Sequence, residues 1–503
     1  MPNVQRVRMS VGMRAAFALA VALGLAAGLA AQIDLGAIVG HVTDASGAAI
    51  ANATVVVTNR ATNVSTTHQT NSDGSYQVLA LIPGTYVVRA SAPGFAAQVN
   101  NNVEIHVQSR PSVDFTLAVG SVQQQAEVVA TQPLLQTQTA DVGGVVNSQQ
   151  INDLPLNGRR YSDLALLSPG VQHNIAQGNN QTPDRFSSNG NLETQNYFSL
   201  DGVDNNSGST NLQEGSVQAV QPPPDALQEF RLQTRTYSAE FGTSAGAVVN
   251  ASIKSGTNQF HGDLFEFVRN NKLDSNTFFN NAHGVGIGHF SQNQFGGTLG
   301  GPIVRNRTFF FADYQGFISR KAQTINSVVP TPLMKQGNFT ELKKVLAASA
   351  AGQSGCVAGN VLAPQCIDPV GAKLLALYPD PNIAAEVAHQ GVAGGWTGNP
   401  NYQFQYAVPN DTHSTDVRID HTLNSANQIF GRYSYQRVNR QDPPWTSDFV
   451  AGNGNFATQY RIHSQSLALS WNDALSPAML NQLRFGFNPV SYTHLRAHET
   501  GRN

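Results

Sequence analysis

From Thr415 to Phe487 the chain repeatedly alternates one apolar residue with one small, polar or charged residue, and this two-residue period constrains its fold most strongly. Val417 and Ile419 alternate with Asp416, Arg418 and Asp420; after a turn at Asn424–Asn427, Ile429, Tyr433 and Tyr435 stand against Arg432, Ser434 and Gln436. Leu467, Leu469 and Trp471 then alternate with Ala468 and Ser470. Beyond a turn at Ser476–Pro477, Leu483, Phe485 and Phe487 alternate with Gln482, Arg484 and Gly486. Successive side chains on a strand point to opposite faces, so each stretch reads as a strand with one apolar and one polar face. A soluble sandwich can show the same alternation. Tight turns on one side, a long loop on the other and aromatics near the strand ends favour strands with lipid outside and a wet lumen inside.

Composition agrees with that reading. Charged residues make up 12% of the 503-residue chain, about half the usual share of soluble domains. The net charge of −2 gives no electrostatic footprint for nucleic acid. Arg6, Arg8 and Arg14 precede an apolar run from Ala15 to Ala31 that ends in small residues, so 1–31 is expected to be a cleaved export signal. The run falls short of the roughly 20 residues of a spanning helix. With no other long apolar segment, the chain is expected to enter a membrane only as a barrel. Cys356 and Cys366 are the two cysteines. Export makes a disulfide between them possible, and two free thiols are the alternative. Their spacing, without a nearby His, does not suit zinc.

Residues 36–118 alternate β-branched runs with turn signals, among them Asn71–Ser75 and Pro83–Gly84. About seven short strands are expected, hence a small β-sandwich. This region resembles the carboxypeptidase regulatory-like domain, a transthyretin-type sandwich whose relatives are classed among carbohydrate-binding-like folds.

A second resemblance rests on motifs in order. Pro224–Phe230 reads P-D-A-L-Q-E-F, Tyr237–Gly242 Y-S-A-E-F-G, and Ala247–Asn258 A-V-V-N-A-S-I-K-S-G-T-N. Phe260–Asn270 (F-H-G-D-L-F-E-F-V-R-N), Gln294–Ile303 (Q-F-G-G-T-L-G-G-P-I) and Arg307–Phe317 (R-T-F-F-F-A-D-Y-Q-G-F) follow. Their succession resembles the plug-to-barrel junction of Oar-like TonB-dependent outer-membrane receptors. Ile151–Arg160, Leu164–Val171 and Tyr197–Asp204 are similar to that family's early plug.

The resemblance implies a mainly β protein: the sandwich, a linker at 119–135, an α+β plug at 136–260, and the first part of a transmembrane antiparallel barrel at 261–489 with a long extracellular loop at 319–403. Within that loop Phe339–Ala350 reads as helical. In the linker, Glu127, Val128, Val129, Ala130 and Thr131 sit where the family often carries the strand that TonB captures by β-augmentation; an ordinary linker strand fits as well. Arg159 and Arg160 are expected to anchor the plug to acidic groups on the inner barrel wall, or else to be solvated turn arginines. Asp201–Asp204 (D-G-V-D) lacks the alternating ligands of a calcium loop and reads as a strand-end turn.

The segment Val490–Thr500 crowds imidazoles and charges after a membrane strand and is similar to the translation of a transposase-end sequencing adapter. Residues 490–503 are therefore expected to be non-native and the barrel incomplete, with about eight strands against the roughly 22 of plugged transporters. His494, His498 and Glu499 are not counted as metal ligands. No metal or cofactor is expected.

The function implied is a receptor that binds a substrate (oligosaccharide, siderophore or peptide) at the cell surface and imports it with energy from TonB and its inner-membrane complex. Its partners are TonB, outer-membrane lipid and that substrate, not nucleic acid; the sandwich lies in the periplasm. The alternative is a non-transporting outer-membrane surface protein that adheres or binds carbohydrate through the sandwich. An enzyme is not expected. Zinc-protease and P-loop motifs are missing, and Gly242–Gly246 matches G-x-S-x-G ahead of a strand, where a nucleophile elbow needs a helix.

Overall fold

The computed structural model describes residues 35–496 apart from 121–124, 128–141, 157, 174–184, 208–216, 238–240, 242–243, 277, 283–285, 344–354, 388, 394, 396, 443–457 and 477–478. The expected export signal and Val128–Thr131 lie outside the described residues.

The chain first folds as a sandwich of β1 (Gly36–Asp44), β2 (Thr54–Asn59), β3 (Ser65–Gln69), β4 (Ser75–Leu81), β5 (Gly84–Ser91), β6 (Ala97–Ile105) and β7 (Phe115–Leu117). One sheet runs β4-β1-β7 and the other β3-β2-β5-β6, whose edge is extended by β8 (Gln125–Glu127) in parallel with β6. Alternation sends Val55, Val57, Val88 and Ala90 inward to meet Ile38, Val42, Val103 and Phe115 between the sheets.

The plug follows: β9 (Val142–Asn147), β10 (Val171–His173), β11 (Phe186–Ser188), β12 (Tyr197–Leu200), β13 (Val203–Asp204), β14 (Leu227–Arg235) and β15 (Val248–Ile253). Its main sheet runs β13-β12-β15-β14-β9. One face carries Phe198, Leu200, Phe230, Leu232, Val249 and Ala251, roofed by Ile151 from the helix Ser148–Asp153 and by Tyr161 and Leu164 from the 3-10 turn Tyr161–Leu167. Asn147 caps that helix, its side chain accepting from Gln150 N at 2.9 Å. The opposite face carries Ser199, Glu229, Arg231, Asn250 and Ser252, all buried. A buried polar face requires hydrogen-bond partners.

The barrel wall comprises β16 (His261–Asn270), β17 (Phe290–Val304), β18 (Thr308–Ser327), the loop hairpin β19 (Val357–Ala358) and β20 (Val361–Leu362), then β21 (Tyr402–Thr422), β22 (Asn427–Asp442), β23 (Thr458–Ser476), β24 (Met479–Phe487) and β25 (Val490–Arg496). Apart from the loop hairpin they form one antiparallel sheet in sequence order. β24 and β25 lie end to end along β23: Phe487 pairs with Leu467 and Val490 with Ser464, so the register passes through Asn488–Pro489 unbroken. The apolar rows face outward and stay exposed, with Ile419 at 44%, Leu469 at 46% and Phe485 at 55%. The polar rows face inward and are buried, among them Asp416, Arg418, Arg432, Ser434, Ser466 and Ser470. Large exposed apolar rows opposite buried polar ones invert the soluble arrangement, as a lipid-facing wall requires.

The long loop is shorter than the sequence implies, because pairing of β18 with β21 continues to Ser327 and Tyr402. Within it the described part of the expected Phe339–Ala350 helix, 339–343, is not helical. Helices form at Pro332–Lys335 and Pro369–Ala376, each with Pro in its first turn and a side-chain cap, Thr331 and Asp368. Cys356 and Cys366 are disulfide-bonded and clip the β19–β20 hairpin. Replacing both by Ser is expected to cost about 2–3 kcal/mol of local stability. Amide exchange would then quicken at Val357–Leu362 and stay unchanged in β18 and β21.

Candidate functional site: a charged lock between plug and barrel

The plug meets the barrel wall at the tip of its β12–β13 hairpin. Two residues, Asp201 and Gly202, make the turn, with φ of +50° and +71°. Positive φ at both positions is the I′ geometry that suits a strand twist and selects Asp-Gly. The sequence expectation of a strand-end turn therefore matches the backbone. The side chain, however, leaves the turn for the lumen wall.

Asp201 is 1% exposed. Its Oδ1 accepts from Arg418 Nη1 at 2.8 Å and from Ile253 N at 3.1 Å, and Arg432 Nε lies 2.8 Å from its Oδ2. Arg418 continues to Asp420 at 2.9 Å and to the Ile253 carbonyl at 3.0 Å, and its guanidinium covers the Phe430 ring at 4.6 Å. Arg432 donates to Ser434, which donates to Asp416, and to Ser466 at 3.1 Å. Ser255, just past β15, donates to Asp420 Oδ2 at 2.7 Å.

Strand register explains the grouping. Arg418 of β21 and Arg432 of β22 are direct cross-strand partners. Like charges opposite one another repel, and a carboxylate between them removes that penalty. The hairpin that delivers it packs Val203 against Phe430 and Ala468. It comes so close to β24 that a Cβ on Gly486 would stand 2.4 Å from Val203 Cγ1. Phe311 of β18 also joins the plug's own core. Beside the lock a cavity of about 450 Å³ opens between sandwich, plug and barrel, with Arg60, Tyr86, Ser255, Phe309 and Asp420 in its walls.

The residues singled out in the sequence lie elsewhere. Arg159 pairs with Asp225 inside the plug; its barrel contacts are Gln315 at 3.3 Å and the rings of Phe265 and Phe267 at 4.3 and 4.9 Å, not an acid of the wall. Arg160 pairs with Asp163 of the plug at 3.2 Å. The acid–arginine anchor runs the other way, with the carboxylate on the plug and the arginines on the wall. Its signal was present as two lumen-phase arginines, Arg418 and Arg432, on neighbouring strands, together with a D-G turn lacking a charge partner. Glu127 ends β8 on the sandwich edge.

Removing one partner of a buried ion pair leaves the other uncompensated, a cost of about 3–5 kcal/mol. Asp201→Asn is therefore expected to loosen the plug, seen as lost exchange protection in β12 and β15 while β21–β23 keep theirs. Unchanged protection would mean that the wall arginines are satisfied without the plug.

A family model described as an outer membrane beta barrel domain matches residues 252–503, and one for the carboxypeptidase regulatory-like domain matches 37–118. The TonB-dependent transporter Oar of Myxococcus xanthus is 29% identical over 303 residues, 57% of this chain and 27% of that protein. The chain thus spans about a quarter of that relative's length. Among solved structures, the outer membrane transporter YddB from Escherichia coli aligns with a TM-score of 0.45 at 14% identity, over 70% of this chain and 39% of that one. The siderophore receptor PirA from Acinetobacter baumannii aligns with a TM-score of 0.35 at 15% identity, over 70% and 48%. With its wall of lipid-facing strands and its N-terminal carboxypeptidase regulatory-like domain, the chain belongs to the outer-membrane β-barrel family and resides in the outer membrane.

Proposed function

We propose that this chain carries the periplasmic domain, plug and first barrel strands of a TonB-dependent outer-membrane transporter that imports a surface-bound substrate. The observation that carries this reading is the seating of the plug: a separate sheet held against the lumen wall by a buried charge cluster at Asp201. Such a contact seals while closed, and its separated charges can be hydrated in a wet lumen once it opens. Residues 127–131 precede the plug in the chain, where a strand captured by TonB would transmit a pull to β9. The similarity to a TonB-dependent transporter supports the same reading. The described part of the loop at 328–401 would be part of the surface that meets substrate.

Deleting Ala126–Thr131 from the full-length protein tests the energy-coupling step. Capture of the receptor by the purified periplasmic domain of TonB is expected for the intact protein and abolished by the deletion. Capture that survives would sink the assignment of that segment.

A further inference from the structure

The polar face of the plug sheet is covered by the sandwich. Glu229 and Arg231 of β14 and Asn250 of β15 are 3%, 4% and 1% exposed. The turn that follows β6 is seated on them. His106 Nδ1 lies 2.7 Å from Glu229 Oε2, and Val107 N–H donates to the same carboxylate. Arg231 Nη1 donates to the Val107 carbonyl at 3.2 Å, and Asn250 Nδ2 to Gln108 Oε1 at 3.1 Å. Gln108 stands in the left-handed region, φ +58°, inside a turn closed by Ser109 N to His106 O at 3.0 Å. A non-glycine residue in that region is uncommon, and here it offers the turn's backbone and side-chain groups to the plug.

We infer that this face of the plug is a docking surface for the His106–Ser109 turn of the sandwich, and that a proton on His106 tightens the docking. The inference goes beyond import: it needs neither TonB nor substrate. The charges around His106 favour its cationic form. Glu229 is 2.7 Å away and Glu104 3.9 Å away, while Arg231 on the same plug face opposes them. The hydrogen bond to Glu229 is the largest influence and raises His106 above its usual 6.5, against the partial burial of the ring. A group whose value is raised on docking contributes fully below its undocked value and loses that contribution as pH rises through the docked one. Acid therefore fastens the sandwich, and alkali frees it.

The same strand links this surface to the lock. Glu229 pairs across the sheet with Ser252, whose hydroxyl donates to Asp201 at 3.3 Å; two residues along β15, Asn250 accepts from Ser199. A docked sandwich thus braces the end of β15 that presents Ile253 to Asp201 and Arg418.

Amide exchange of the full-length protein in outer-membrane vesicles, corrected for intrinsic rates, tests this at about pH 5.5 and about pH 8. Protection at Val107, Ser109 and β14 is expected to be several-fold greater in acid. His106→Gln is expected to give the same protection at both pH values. A Gln108→Cys, Asn250→Cys pair is expected to be bridged by a short bifunctional thiol reagent, which reports the docking independently of the histidine. Protection that ignores pH in the unaltered protein, or pH dependence that persists in His106→Gln, overturns the proton's role. Failure of the pair to crosslink in a protein whose barrel is intact overturns the docking. Both readouts stand whether or not the protein transports anything.

Discussion

Two arginines on neighbouring strands of the barrel wall, pointing at each other into the lumen, are the constraint around which the inner parts of this protein are arranged. Arg418 and Arg432 are fully desolvated and register-paired. In a low-dielectric wall that pair is unfavourable unless opposite charge lies between the two. Asp420 and Asp416 supply part of it from the wall itself, Asp416 through Ser434. The remaining carboxylate comes from the plug. Asp201 approaches both guanidiniums directly, 2.8 Å from each, so plug and barrel depend on one another beyond shape.

The hairpin that carries Asp201 is suited to this task. A two-residue I′ turn has little slack, and both its strands are fixed: β12 is paired with β15, and Val203 is wedged against Phe430 and Gly486. The carboxylate therefore reaches the guanidiniums as part of a rigid tip rather than as a long side chain that must be ordered on arrival. A glutamate at that place would lose more rotamer freedom to make the same contacts.

The outer half of this design can be read from the sequence because the bilayer imposes a period on it. Val417/Ile419, Leu467/Leu469 and Leu483/Phe485 had to face lipid, and the strict alternation exposes both the strands and their orientation. The sandwich is legible for a related reason: its β-branched runs are punctuated by Asn71–Ser75 and Pro83–Gly84. The lock is harder to read, because a lumen row tolerates polar residues of many kinds, and nothing local states that Arg418 will meet a residue 217 positions away. Arg159 shows the converse error. An arginine pair in a turn suggests an anchor to the wall, yet Asp225 lies within the plug and satisfies it first, leaving the wall to contribute a glutamine and two aromatic rings. Pairing of β18 with β21 runs past Ser319 into residues whose polar composition resembles a loop, because a strand that need not face lipid needs no apolar row.

Under the proposed transport function a plug must seal a pore and also come out of it, and the two demands bear on the chemistry of its contacts. Apolar packing between plug and wall, here Val203 on Phe430 and Ala468 and Phe311 in the plug core, would by itself hold equally well in any direction of displacement and would leave sticky surface exposed in a wet lumen once broken. A buried ion cluster behaves differently. Its net contribution is small, because desolvation offsets most of the attraction, but its geometry is exacting. Moving the Asp201 tip by a few ångströms breaks its contacts to Arg418, Arg432 and Ile253 together, and water then hydrates the separated charges. The contact is sharp in distance but modest in equilibrium free energy. β15 bonds both to this cluster and to the sandwich turn at Gln108, so a disturbance at that turn has a short, stiff path to the lock.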